Sequence, residues 1–212
     1  SSSAASDVYK RQGQVCTAGS RLYVHESVLE PVLDELRKHA AAHVIGAGLD
    51  PATTLGPLVS QRQLETVQGY LQRGVQDGAE LICGGQRPAH LERGHFIQPS
   101  VFLDRQERAC VAREEIFGPV LTVMSWSEPE ELVARANDSP YGLAAGLWTN
   151  DLRAAHRLAA QLKAGSVWIN CWNVVDPASP FGGYKQSGWG REMGKNVIDA
   201  YTETKSVFVD LA

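Results

Sequence analysis

Apolar and polar positions along the chain alternate between a period near two and a period near 3.6, which marks strands and helices in turn. Leu22-Tyr23-Val24 reads as a strand. Val28, Leu29, Val32, Leu33 and Leu36 then share one helical face running towards the alanines before His43, with Pro31 in the first turn, where its missing N–H costs no helix bond. A Gly/Pro-rich loop covers residues 46–57. Ser60-x-x-Gln63 has the form of a capping box with Val59 and Leu64 as its hydrophobic staple, and its helix continues through Val67, Leu71 and Val75. Ala79 to Cys83 is strand-like and stops at Gly84-Gly85. Residues 86–95 form a polar surface loop, followed by a short apolar stretch from Phe96 to Phe102.

The same alternation continues to the end. Val120 to Trp126 is a strand, and Ser127-Glu128-Pro129-Glu130 is a second capping box, opening a helix through Leu132, Val133 and Ala136. Leu143 to Trp148 is nearly continuously apolar, as a central strand buried on both faces should be. A helix over residues 151–164 carries Leu152, Ala155, Ala159 and Leu162 and stops at Gly165, and Ser166 to Asn170 is the next strand. That strand–helix–strand unit implies a right-handed parallel crossover. The expected fold class is an α/β layer structure with a largely parallel sheet flanked by helices. Thr204 to Leu211 is strand-like at the end of the chain, and fits either an edge that pairs with a second chain or the last strand of the chain's own sheet.

Composition narrows the function. At 212 residues with 43% hydrophobic and 21% charged residues, the chain has the make-up of a globular protein. A net charge of −4 provides no basic field for nucleic acid, and no apolar run approaches the roughly 20 residues of a membrane span. Cys16, Cys83, Cys110 and Cys171 are widely spaced, with no CxxC pair and no clustered histidines, so no metal site is expected. Free thiols and the lack of a secretory pattern make a cytoplasmic setting the expectation. Residues 1–12, SSSAASDVYKRQ, have no apolar periodicity and read as a foreign or disordered leader. Asp7 to Gln12 resembles the translation of a transposon-end adaptor (GAT GTG TAT AAG AGA CAG).

Of the four thiols, Cys16 stands apart. Cys83 and Cys171 lie among apolar residues, and nothing separates Cys110 from the ordinary buried cysteine. Cys16 lies among small residues in Gly13-Gln14-Val15-Cys16-Thr17-Ala18-Gly19-Ser20-Arg21 and is expected to open a short helical turn, where a thiol gains thiolate character. That is what a covalent nucleophile requires.

These residues, G-Q-x-C-x-A-x-x-R, resemble the active-site cysteine motif of the NAD(P)-dependent aldehyde dehydrogenase superfamily. Three more blocks match in order: Glu114-Glu115-Ile116-Phe117-Gly118-Pro119; Asn137 with Tyr141-Gly142-Leu143; and Pro180-Phe181-Gly182-Gly183-Tyr184-Lys185 through Ser187-Gly188 to Gly190-Arg191-Glu192. The resemblance covers about residues 13–211 and implies a catalytic domain over 13–201 with an oligomerisation strand over 202–212. It implies that Cys16 attacks a small-molecule aldehyde, that NAD or NADP takes the hydride, and that water cleaves the resulting thioester. By the same resemblance Glu115 binds the nicotinamide ribose, Phe117 packs beside the nicotinamide, and Gln63 is a further ribose contact. Each has a plainer reading too: a solvated charge for Glu115, core for Phe117 and helix capping for Gln63.

The resemblance also implies that Asn170, Val175 and Phe181 line the substrate pocket and that Glu192 relays protons; a helix-start carboxylate is the plain alternative for Glu192. The parent protein is expected to be a homo-dimer or homo-tetramer. The general base, the oxyanion-hole asparagine and the nucleotide-binding domain precede the cysteine in the family and are not found here. The family's usual asparagine five residues before the nucleophile is Arg11 in this chain. A member that transfers the acyl group to CoA, and a non-catalytic binding protein on the same scaffold, remain alternatives.

Overall fold

The computed structural model describes residues 12–212, so the leader expected over residues 1–12 lies, apart from Gln12, outside the described residues. The chain divides into two compact units, Ser1–Ser139 and Pro140–Ala212.

In the first unit, four strands form one sheet in the order β1 (Arg21–His25), β4 (Val120–Trp126), β3 (Ser100–Leu103), β2 (Glu80–Cys83). β4 runs parallel to both β1 and β3, while β2 is antiparallel to β3, with a register shift between Leu81 and Cys83. Side chains on a strand point alternately to opposite faces, and the core divides accordingly. Val101, Leu103 and Val123 pack with Leu29 and Leu33 of helix α1 (Leu29–Ala41). Phe102 and Val120 pack on the other face with Leu64, Val67 and Leu71 of helix α2 (Gln61–Gln76) and with Cys110 and Val111 of the short helix α3 (Cys110–Arg113). Both faces are thus covered, as a mainly parallel sheet demands. Buried Thr122 is satisfied, donating from Oγ1 to the Val111 carbonyl at 2.7 Å.

Several expected details change. Val28 lies half-exposed in a 3₁₀ turn, Glu26–Val28, ahead of α1, which places Pro31 in the helix's first turn as anticipated. Val59 is 79% exposed, so no staple to Leu64 forms; its backbone N–H donates instead to Gln14 Oε1 at 3.0 Å. Val75 is also exposed, and Gly74 takes the inward position against Val111 and Phe102. Helix α4 (Pro129–Asn137) has Glu128, not Ser127, as its N-cap, with no side-chain cap bond; proline at its start makes one of the orphan donors unnecessary.

The second unit contains the expected crossover. β5 (Ala144–Leu147), helix α5 (Leu152–Gln161) and β6 (Ser166–Ile169) follow in order, and the two strands pair in parallel. Asp151 caps α5 by accepting the N–H groups of Arg153 and Ala154 at 2.9 and 3.0 Å. Two expectations fail here. β5 is half-buried along its length, as one member of a two-stranded sheet. α5 ends three residues early, because Leu162 takes an extended conformation, and Leu152 points outwards. Residues 202–212, beyond the short helix α6 (Val197–Tyr201), adopt no strand and are exposed throughout.

Candidate active site

The residues before β1 form a turn rather than the expected helical turn. Ala18 N–H donates to the Val15 carbonyl at 3.0 Å, and the chain then extends into β1. Cys16 sits at the outer corner with its thiol exposed, while Thr17 is buried beneath it. What holds the turn is its neighbour: Gly13 has a φ of 68°, and a Cβ at that position would collide with the Gly118 carbonyl, 2.7 Å from its carbon. Only glycine allows this backbone-to-backbone approach. Among the described residues, no backbone acceptor takes the Cys16 N–H.

Gly118 belongs to the segment that leaves α3 and enters β4. In it, Ile116 is buried while Glu115 and Phe117 face outwards. Of the paired glutamates, Glu114 is committed: it accepts from the Tyr70 hydroxyl at 2.8 Å and lies 3.7 Å from Arg73. Burial and that carboxylate together push the Tyr70 pKa upwards. Glu115 is exposed, and among the described residues no ion pair or hydrogen bond ties its carboxylate. Phe117 is 41% exposed with a φ of 56°, an uncommon conformation for a bulky side chain. A core role for Phe117 is therefore excluded, and with Glu115 it forms a ledge.

Gln63 reaches this ledge. The Ser60 hydroxyl accepts the Gln63 N–H at 3.2 Å, which is half of the expected capping box. The side chain does not complete the box: Gln63 Nε2 donates to the carbonyls of Ile116 at 3.0 Å and Phe117 at 2.8 Å. Gln14, part of the cysteine motif, ties the Cys16 turn through its bond from Val59 to the residues just ahead of the same helix. Its place two residues before the cysteine was the one signal for it in the sequence. Cys16, Gln63, Glu115 and Phe117 are thus assembled around the start of α2 and the Gly13–Gly118 contact.

The other expected site residues lie in the second unit. Asn170, with a φ of 55°, exchanges two hydrogen bonds with the Thr149 backbone, both at 2.9 Å, and so joins the ends of β5 and β6. Trp168 Nε1 donates to the Val174 carbonyl at 3.0 Å, holding the loop that presents half-exposed Val175. Phe181 and Glu192 are brought together as an antiparallel bridge with reciprocal bonds of 2.7 Å. Glu192 therefore starts no helix, and its side chain is exposed. Among the described residues, no hydrogen bond joins Asn170 or Val175 to that bridge.

The thiols separate by environment. Burial, and then Asp77, raise the Cys110 pKa to about 11, and Asp77 also accepts the Cys110 N–H at 2.8 Å. Burial raises the Cys83 thiol as well. Among the described residues, no group of His, Cys, Asp or Glu could hold a metal ion, and no helix is long and apolar enough to cross a membrane.

Residues 1–207 match the aldehyde dehydrogenase family. A mitochondrial aldehyde dehydrogenase of Leishmania tarentolae is 50% identical over 204 residues, which cover 96% of this chain and 41% of that protein. A phenylacetaldehyde dehydrogenase of Pseudomonas fluorescens is 46% identical over 207 residues, 97% of this chain and 41% of the relative. The NAD+ complex of a Bacillus cereus aldehyde dehydrogenase superposes with a TM-score of 0.90 at 48% identity, over 95% of this chain and 40% of that one. The chain belongs to the aldehyde dehydrogenase family, and it spans about two fifths of the length of these relatives.

Proposed function

We propose that this chain carries the nucleophile and the cofactor ledge of an NAD(P)-dependent enzyme that oxidises a small-molecule aldehyde to a carboxylic acid. The observation that carries this reading is the exposed Cys16 on a turn whose Gly13 packs against Gly118, the residue that follows Phe117. The ledge suits a dinucleotide: Glu115 offers an uncommitted carboxylate for ribose hydroxyls, and Phe117 an exposed aromatic face for a flat ring. Gln63 has its Nε2 committed to the ledge backbone, so its contribution to a ribose is as an acceptor, through Oε1.

Cys16 Sγ, as thiolate, adds to the aldehyde carbon, and the carbonyl electron pair moves onto oxygen. The Cys16 N–H donates to that developing oxyanion. NAD or NADP, when bound, supplies the hydride acceptor by which the Cys16 adduct reaches the acyl level. Water then cleaves the Cys16 thioester, releasing the acid and restoring the thiol. Glu192 serves as the proton relay, and Asn170, Val175 and Phe181 line the substrate pocket. Residues 202–212 serve as an oligomerisation strand of a homo-dimer or homo-tetramer. A reducing, cytoplasmic setting suits the four free cysteines.

The activity belongs to a longer protein, and the 212-residue chain alone does not turn over. The test follows absorbance of reduced cofactor with NAD, an aldehyde and either the parent enzyme or this chain. Cys16→Ala in the parent is expected to lower the rate at least about 1000-fold, the scale of losing a covalent nucleophile. Unchanged turnover in that variant refutes the assignment, and product analysis separates acid from acyl-CoA.

A further inference from the structure

Phe117 keeps a backbone conformation that bulky residues avoid, yet the residue is 41% exposed and belongs to no buried cluster, so core packing is not what fixes it there. A polar side chain that engages this segment is Gln63, whose Nε2 donates to two successive carbonyls, those of Ile116 and Phe117 itself. Those carbonyls flank the Phe117 dihedrals, so bonding both from one nitrogen constrains the peptide planes on either side of its Cα. The bond to the Phe117 carbonyl also lies next to Gly118, on which Gly13 rests. Gln63 is itself anchored, because its own N–H is bonded to the Ser60 hydroxyl at the start of a 16-residue helix.

We infer that Gln63 is a positioning residue: its carboxamide holds Phe117 in the left-handed conformation that turns the ring outwards and keeps Glu115 and Phe117 on the same side as the Cys16 turn. This rests on the reading of Glu115 and Phe117 as the cofactor ledge. It differs from a ribose contact, in which the amide would act on a ligand; here the amide acts on the backbone of the ledge whether or not a ligand is bound.

The test uses the 212-residue chain and needs no catalysis, so its failure and that of the proposed activity are separable. Gln63→Met removes the donor at similar volume, and Gln63→Asn keeps the amide but is too short to reach both carbonyls. In each, NMR backbone couplings are expected to show Phe117 leaving positive φ in a large share of molecules. Exchange of the Val120 amide, bonded to the Gly118 carbonyl at 2.8 Å, should accelerate about tenfold, the scale of a lost hydrogen bond pair.

Phe117→Asn provides the rescue, since asparagine tolerates left-handed backbone. In that background, either Gln63 substitution should accelerate the same exchange less than about threefold. Alkylation of buried Cys110 monitors the core: it should stay slow in every variant, and a variant that exposes Cys110 is replaced by the other Gln63 substitution. Phe117 remaining at positive φ without the Gln63 donor, or an equal acceleration with and without Phe117→Asn, overturns the inference.

Discussion

At the scale of single residues, the thiols differ in chemistry because their surroundings differ. Cys16 is exposed at a turn, whereas Cys110 is buried with its pKa at about 11. At pH 8 only about one Cys110 in a thousand is thiolate, and thiolate is the reactive form. Iodoacetamide should therefore modify Cys16 first and Cys110 last, as followed by mass spectrometry of the digested chain; Cys110 reacting ahead of Cys16 would contradict the environments described. The distinction of Cys16 was legible in the sequence from its small neighbours, although the helical turn expected beneath it was not formed. A pattern of small residues signals close approach without saying what is approached. The partner, the Gly118 carbonyl, lies 105 positions away from Gly13 by subtraction of their numbers. Gln63 teaches the same lesson: the capping pattern located the helix start correctly, but the side chain's partners are carbonyls 53 and 54 residues away.

At the scale of elements, a polar clasp joins β1, the loop after β3 and α4. Buried Asp104 accepts N–H groups from Gln106 and Glu107 at 3.0 Å each and from Ala109 at 2.9 Å. That loop presents Glu107 to Arg135 of α4 in a close ion pair, and the Tyr23 hydroxyl of β1 lies 3.3 Å from Glu107 and 3.1 Å from the Arg135 carbonyl. Burial, with Glu107 as the next cause, raises the Tyr23 pKa to about 12 from 10.0. The folded state therefore keeps the Tyr23 proton at a pH where the unfolded chain has released it. Its contribution to stability is fully present below pH 10 and is lost as pH rises towards about 12. Urea midpoints measured across that window should fall more steeply for the parent chain than for Tyr23→Phe; equal slopes would refute the shift. Periodicity revealed the strand and the helix that this clasp joins, but nothing local marked Tyr23, Glu107 and Arg135 as partners.

At the scale of the whole molecule, the sequence was most readable where one face of an element meets a core within its own unit. The boundaries of β4, the start of α2 and the order of the β5–α5–β6 crossover follow from hydrophobic period and capping pattern alone. It was least readable where apolar residues have no such core. Leu143 to Trp148 looks like a doubly buried strand, yet β5 is half-buried; Val207 and Val209 alternate like a strand, yet residues 202–212 are irregular and exposed. Alternation states what a segment is able to bury, not what is present to bury it. Because Val207, Phe208, Val209 and Leu211 touch so little of the fold, deleting residues 203–212 should move the unfolding free energy by less than about 0.5 kcal/mol. If the segment is the oligomerisation strand proposed above, the same deletion reduces self-association in sedimentation experiments.

The meeting of Gly13 with Gly118 has a consequence for how such a site diversifies. Two stretches of main chain meet with no side chain wedged between them, which fixes how near the segment bearing Cys16 comes to the one bearing Phe117. Side chains elsewhere on the two segments are then at liberty to change size and polarity while the distance between the main chains stays constant.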